Sequence, residues 1–375
     1  MRVLKPSFAM LAIVSDAFGG RGGIAQYNRD FLGALAETGA VSSITVVPRH
    51  APDEAVLPEG IEQTRARSDR INYSIAAIRT ALLREVDIVF CGHLFMVPLA
   101  ALIKKLKRAK LIVQTHGIEA WPRPSKAQRA AVESADLVLC VSRHTRAAVL
   151  SWAAIEPERV LVLPNTVREA FTPGDGTARR ASLGMAGRHV LLSVGRMDAG
   201  QRYKGQDHVI AVIPDLIKKG YDIHYLIVGE GDDRERLEAL ARDNNVNERV
   251  HFLGPIGLAS LVETYRAADL FVLPSTGEGF GIVFLEAMAS GTAALGLGVA
   301  GAKDALVDGE LGTMASEGDF ATTIAGLLDQ QRPVPGQLAS AVRARFGRKR
   351  FAAGAYAALN RLSEARCSLP GRGAY

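Results

Sequence analysis

Residues 275–291 read Ser-Thr-Gly-Glu-Gly-Phe-Gly-Ile-Val-Phe-Leu-Glu-Ala-Met-Ala-Ser-Gly and follow a short apolar run, Asp269–Pro274. The run predicts a buried strand, and Ile282, Leu285 and Ala289 then recur at helical spacing, so a strand passes through a glycine-rich turn into a helix. Glu278 falls in the turn and Glu286 inside the helix. Gly279 and Gly281 leave backbone N–H groups uncovered where the helix begins, and such a helix start carries roughly half a positive charge that favours phosphate. Eight helical residues would separate the two carboxylates by about 12 Å, beyond the ~5–9.5 Å of a glycosidase acid/base pair. The two acids are therefore expected to hold two ends of one ligand, with a diphosphate between them.

The same string resembles the Glu-x7-Glu motif of the family 4 retaining glycosyltransferases. The resemblance implies the GT-B fold: α/β, with two Rossmann-like, doubly wound parallel-sheet domains facing a cleft. It places Glu278 on the donor hexose and Glu286 on the nucleotide ribose, with Gly279, Phe280 and Gly281 as further donor-binding candidates.

A chain of 375 residues exceeds what one hydrophobic core usually serves, which predicts two domains. With 48% hydrophobic and 22% charged residues it is expected to fold as a soluble globular protein. Apolar stretches such as Phe95–Ile103 are shorter than the ~18–20 residues that span a bilayer. Arg2, Lys5 and the apolar run after them superficially suggest a signal peptide, but Asp16 and glycines stand where a cleavage site would, so Phe8–Val14 is read as the first strand. Cys91, Cys140 and Cys367 are odd in number and lack metal-ligand spacing, which predicts neither disulfide nor zinc and a cytoplasmic location.

Residues 1–170 carry 22 basic and 16 acidic side chains, residues 171–349 carry 19 and 22, and residues 350–375 carry 4 and 1. A positive excess on the first domain suits the inner face of an anionic membrane or a lipid-diphosphate acceptor. Lys104, Lys105, Lys107, Arg108 and Lys110, and separately Arg65, Arg67 and Arg70, are the candidate contacts, with a solvated face as the plain alternative. Nucleic acid is not expected, since no zinc-finger, RNP or helix-turn-helix pattern accompanies the charge.

Strand-like runs at Phe8–Val14, Ile44–Val47, Val86–Cys91, Leu111–Thr115, Leu137–Val141 and Val160–Leu163 alternate with helical segments. After the punctuated stretch Pro164 to Gly176 the alternation restarts at His189–Val194, His224–Val228, Val250–Leu253, Leu270–Leu273 and Thr292–Leu297. This predicts two parallel sheets, each wrapped on both faces. The expected division is 1–167, with 350–375 packing back on it, and 168–349. By resemblance the first is the acceptor side and the second binds the donor nucleotide.

Arg196 ends the first strand of the second half and Lys204 precedes its first helix, so two cations flank one loop and suit one diphosphate. The resemblance gives them the leaving nucleoside diphosphate, with Arg202 as a rival to Arg196. No Asp-x-Asp pair for a divalent ion occurs, so fixed cations are expected in place of a metal, and no cofactor is predicted. Gly19 to Ile24 precede a helix expected at Ala25–Leu35. The resemblance brings Gly22 and Gly23 near the donor phosphates, but Gly20-x-Gly22-x-x-Ala25 with Arg49 also fits an NADP-binding fingerprint. His116 follows a strand and by resemblance contacts the donor hexose, with Glu119 and Trp121 as neighbours that shape the acceptor site or merely pack. Asn165 matches a crossover position, as hinge or ligand contact, and Gly229-Glu230-Gly231-Asp232 a strand-end turn.

The resemblance thus implies a metal-independent hexosyltransferase that retains configuration and acts on a nucleotide-diphosphate sugar, with GDP-mannose as first choice. A polyprenyl-diphosphate-linked saccharide would be the acceptor, in bacterial exopolysaccharide or lipopolysaccharide synthesis. The alternatives are a UDP-glucose-type transferase, a sugar-nucleotide epimerase or phosphorylase, a non-catalytic sugar-nucleotide binder, and an NADP-dependent oxidoreductase.

Overall fold

The central strands show no alternation of buried and exposed residues: Leu11, Ala12, Ile13 and Val14 are all fully buried, as are Val89, Phe90 and Cys91. Side chains hidden on both faces are what a parallel sheet covered by helices on either side requires. In the computed structural model, which describes residues 8–331 and 333–367, the first sheet has seven strands. They are β1 (Phe8–Asp16), β2 (Val41–His50), β3 (Ile61–Gln63), β4 (Ile88–Cys91), β5 (Lys110–Thr115), β6 (Leu137–Cys140) and β7 (Val160–Val162). The second has six: β8 (His189–Val194), β9 (Ile223–Val228), β10 (Val250–Gly254), β11 (Leu270–Leu273), β12 (Ala293–Leu297) and β13 (Thr313–Ala315).

All pairings are parallel, in the orders β3-β2-β1-β4-β5-β6-β7 and β10-β9-β8-β11-β12-β13. In each sheet the strand order reverses once, between β1 and β4 and between β8 and β11. Ligands of open α/β sheets bind beyond the carboxyl ends of the strands at such a reversal. By its contacts the chain divides at Thr166/Val167 and again at Gly347/Arg348.

In the first unit, Leu11, Ile13, Val89, Leu111 and Val113 bury one sheet face against Ala77, Val97, Ile103 and Val132. Burying each such aliphatic side chain is worth about 1.5–3 kcal/mol. On the other face Phe90 stacks at 4.7 Å on Phe31 of the helix Gly22–Glu37. The helix Arg348–Cys367 joins this face: Phe351 meets the Tyr27 ring edge-on at 5.6 Å, and Arg348 Nη2 donates to Glu37 Oε1 at 2.6 Å. Residues 368–375, and with them the end of the predicted return helix, lie outside the described residues, as do Arg2 and Lys5. In the second unit Leu191, Tyr225, Ile227, Val272 and Leu295 form the corresponding core with Ile210, Ile213 and Ile324.

Strands β3 and β13, of three residues each, are not among the predicted runs. The first helix begins at Gly22, three residues before the expected Ala25, and runs on to Glu37. Among the described residues no helix is long and apolar enough to cross a membrane.

Candidate active site

In the second unit the expected strand-turn-helix is present: β11 ends at Leu273 and the helix Ile282–Ala289 follows. Gly281 caps that helix with φ +91°, where any side chain is strained, and a Cβ there would meet the Phe284 ring at 2.7 Å. Gly301 N donates to Glu278 O at 2.9 Å and pins the turn from the side of β12. The loop after β8 is drawn onto this turn by its backbone. Thr276 N donates to Tyr203 O at 2.9 Å, and Gly205 (φ +76°) lies so close that a Cβ would be 2.6 Å from Pro274 O.

The consequence is a contact that the sequence reading did not contain. Lys204, expected on the diphosphate, and Glu278, expected on the hexose, form an ion pair with Nζ 2.8 Å from Oε1, their side chains 16% and 12% exposed. Burial by itself would depress the Lys204 ammonium, but the Glu278 carboxylate more than offsets it and holds Lys204 above the ordinary lysine range. Lys204 is therefore charged throughout the neutral range. Its ammonium has three donors and this contact uses one.

Arg196 is mostly exposed and pairs with Asp198 at 3.2 Å. Arg202 is instead held by Asp233, with Nε 2.9 Å from Oδ1. Between the two candidates, Arg196 is the one whose guanidinium stands beside Lys204 without a buried carboxylate to restrain it. The turn Gly229–Asp232 has a structural use, since Met197 N donates to Glu230 O at 2.9 Å and Asp232 Oδ1 accepts from Ala199 N at 2.7 Å.

Glu286 lies in the same helix, buried, with Oε2 accepting from the Tyr265 hydroxyl at 3.0 Å and Oε1 3.4 Å from Arg168 Nη2. Burial pushes its carboxyl up, while Arg168 and Tyr265 pull it back. Of about four lone-pair sites on the carboxylate, two are taken and two remain for a ligand hydroxyl. Tyr265 and Arg168 escaped the sequence reading, and nothing at positions 168 or 265 announces a partner at 286. The Phe280 side chain is 3% exposed and packs on Phe346 at 5.6 Å, so it is its backbone that is left to face a ligand. Gly279 and Gly281 stand on either side of it.

In the first unit Gly22 and Gly23 are exposed in the first turn of the helix Gly22–Glu37, where a Cβ on either would meet nothing within 4 Å. His116, just after β5, is held by two contacts: its backbone N–H donates to Glu119 Oε1 at 2.5 Å and its Nε2 lies 2.9 Å from Gly92 O. Burial lowers its ring below the ordinary histidine range, which keeps it neutral. The Trp121 indole N–H reaches Thr145 Oγ1 at 3.3 Å, a packing contact. Asn165 is buried one residue before the unit boundary. Arg49, the residue an NADP phosphate would need, donates to Ser68 O at 2.5 Å. In the basic stretch, Lys104 and Lys110 both pair with Asp136, at 2.7 and 2.9 Å, and Lys107 donates to Arg84 O at 3.0 Å.

Two doubly wound units, the second with cations and carboxylates gathered where its strand order reverses, define a GT-B glycosyltransferase. Residues 188–330 match the family model "Glycosyl transferases group 1" and residues 21–171 match "Glycosyltransferase Family 4". The chain belongs to the family 4 glycosyltransferases. It is 31% identical over 349 residues, covering 86% of this chain and 90% of the relative, to a GDP-mannose-dependent alpha-(1-6)-phosphatidylinositol monomannoside mannosyltransferase of Mycolicibacterium smegmatis. A D-inositol 3-phosphate glycosyltransferase of Catenulispora acidiphila is 33% identical over 232 residues, 58% of this chain and 54% of the relative. Among solved structures, Anabaena HepE in complex with UDP-glucose superposes with TM-score 0.75 at 18% identity, over 94% of this chain and 99% of that one. Sucrose-phosphate synthase from Thermosynechococcus elongatus does so with TM-score 0.76 at 22% identity, over 95% and 100%. These structures show the fold. The oxidoreductase alternative ends with the family assignment.

Proposed function

We propose that this glycosyltransferase moves mannose from GDP-mannose to a hydroxyl of a lipid-linked or oligosaccharide acceptor, with retention of configuration and without a metal. The observation that carries the reading is the Lys204–Glu278 pair beside Arg196 at the strand reversal of the second unit. There the two cations face a diphosphate and Glu278 faces the hexose hydroxyls, while Glu286, oriented by Tyr265 and Arg168, takes the ribose. The amides of Gly279 and Gly281 complete the phosphate environment of the second unit. On the first unit Gly22, Gly23, His116 and Asn165 are the ligand candidates. The mannosyl lean is supported by the relative's name.

In the reaction the bond from the anomeric carbon to the diphosphate oxygen breaks while the acceptor oxygen bonds on the same face. The acceptor's proton passes to the departing phosphate. Negative charge grows on that phosphate, and Arg196 and Lys204 oppose it with charge-assisted bonds worth about 1.5–3 kcal/mol each. The setting is bacterial exopolysaccharide or lipopolysaccharide synthesis, with a polyprenyl-diphosphate-linked acceptor at the inner face of the membrane and Arg65, Arg67 and Arg70 toward the lipid.

Incubating the protein in EDTA with GDP-mannose and lipid-linked saccharide acceptors, then assigning the product's anomeric configuration by NMR, tests this. An α-mannoside is expected. Consumption of UDP-glucose in place of GDP-mannose, or activity restored only by manganese, would contradict it.

A further inference from the structure

The short turn that carries Lys204 also holds an aromatic side chain with no part in the reading above. In the 3-10 turn Ala199–Lys204 the backbone leaves helical geometry at Gln201, and Tyr203 and Lys204 close the turn together. The Tyr203 ring is half-buried, and its centroid lies 5.7 Å from Lys204 Nζ, with the ammonium over the ring face. The backbone beneath the ring is fixed by the bond from Thr276 N to Tyr203 O, and Gly205, two residues on, by its close approach to Pro274.

Three neighbours therefore bound the Lys204 side chain. A Cβ on Gly195 would lie 3.5 Å from Lys204 Cδ and 4.0 Å from Cε, so the aliphatic stem runs within van der Waals reach of the chain just past β8. Glu278 Oε1 takes one N–H at 2.8 Å, and the Tyr203 ring covers a second approach. A cation within about 6 Å of an aromatic centroid is attracted by the negative face of the ring, more strongly where water is excluded. The Lys204 side chain is 16% exposed. Burial raises the Tyr203 phenol above its ordinary range, so the ring acts as a neutral aromatic and not as a phenolate. Besides Lys204, the charges acting on it are Glu278, Arg196 and Asp198, and of these Arg196 is drawn to Asp198 at 3.2 Å.

A lysine has a flexible four-carbon stem, and each rotation frozen before the ligand arrives lowers the cost of binding it. Glu278 alone is a single point about which the ammonium can turn. We propose that Tyr203 is a positioning residue: its ring and the Glu278 carboxylate hold the Lys204 ammonium from two sides and leave its remaining N–H for one oxygen of the donor's diphosphate. The choice of ligand rests on the transferase reading above, and Tyr203 adds to that reading what aims the cation. The ring and not the hydroxyl makes the contact, so phenylalanine should serve in its place and leucine should not.

The test joins NMR of the lysine ε-methylene groups of the full chain to calorimetry in EDTA with GDP and UDP as probes. In the free wild-type protein one ε-methylene signal, assigned to Lys204 by its loss in Lys204→Ala, should be displaced upfield by the shielding of the ring. It should stay displaced in Tyr203→Phe and return to the ordinary position in Tyr203→Leu. Tyr203→Leu should weaken binding of the preferred nucleotide about threefold to tenfold, and Tyr203→Phe less than about twofold. Tyr203→Leu added to Lys204→Ala should lose nothing further, because the ring acts only through the ammonium. An unchanged thermal transition in each variant shows that the fold is kept. An undisplaced Lys204 signal, wild-type affinity in Tyr203→Leu, equal losses in the two Tyr203 variants, or a loss that persists without Lys204 would overturn the proposal. Failure of the wild-type protein to bind either nucleotide would instead overturn the transferase reading, and the position of the Lys204 signal would still decide the contact.

Discussion

Lys204 Nζ lies 2.8 Å from Glu278 Oε1, across 74 residues of sequence. The pair forms because Thr276 N bonds Tyr203 O and Gly205 lets the backbone of the β8 loop close on Pro274. One carboxylate thereby orients the cation that we propose faces the diphosphate.

Lys204→Ala should weaken nucleoside diphosphate binding by roughly 1.5–3 kcal/mol, or about 10- to 150-fold, measured by calorimetry. Glu278→Ala should act differently. It strands a largely buried ammonium, so thermal unfolding should show a loss of about 1–3 kcal/mol, less than for a fully buried pair.

Glu286→Ala removes the carboxylate that Tyr265 and Arg168 both hold, and should lower nucleotide affinity about tenfold, the scale of one or two hydrogen bonds. Tyr265→Phe should lower it less, because it loosens Glu286 without removing it. Unaltered affinity in Glu286→Ala would remove that residue from the nucleotide site.

Much of the second unit's site is legible in the sequence because it is local: a strand, a glycine turn and a helix within residues 269–291 announce Glu278, Glu286 and the amides between them. The alternation of buried runs likewise shows both sheets, since the central strands carry apolar runs: Phe8 to Val14 in β1, Ile88–Cys91 in β4 and Leu270–Leu273 in β11. What stays hidden is long-range. Tyr265 sits on the helix Leu258–Ala267 and reads as an ordinary core aromatic until its hydroxyl is seen on Glu286. Phe280 shows the converse: a residue inside the motif whose side chain serves the core.

Gly281→Ala should cost about 1–3 kcal/mol, since φ +91° strains any side chain and the new methyl would strike the Phe284 ring. A fall in melting temperature together with weaker nucleotide binding is expected. A neutral substitution would show that the helix start tolerates another cap.

His224 stacks on His251 and faces Arg188, and burial followed by these charges lowers it from 6.5 to about 4. The folded state therefore disfavours its proton while the unfolded chain accepts it near 6.5. The stability it contributes is complete above that value and is lost as pH falls from 6.5 to about 4. Melting curves across this window should show a shallower acid loss in His224→Gln than in the wild type. Parallel curves would mean that other groups govern the acid limb.

On the proposed reading the second unit binds a guanosine diphosphate sugar through fixed cations. Calorimetric titration of the purified protein in EDTA with GDP, UDP, ADP and NADP tests it most directly. Selective GDP binding that is lost in Lys204→Ala is the predicted result. Preference for UDP would contradict the mannosyl donor, and binding only after divalent metal is restored, or none beyond NADP, would contradict the site itself.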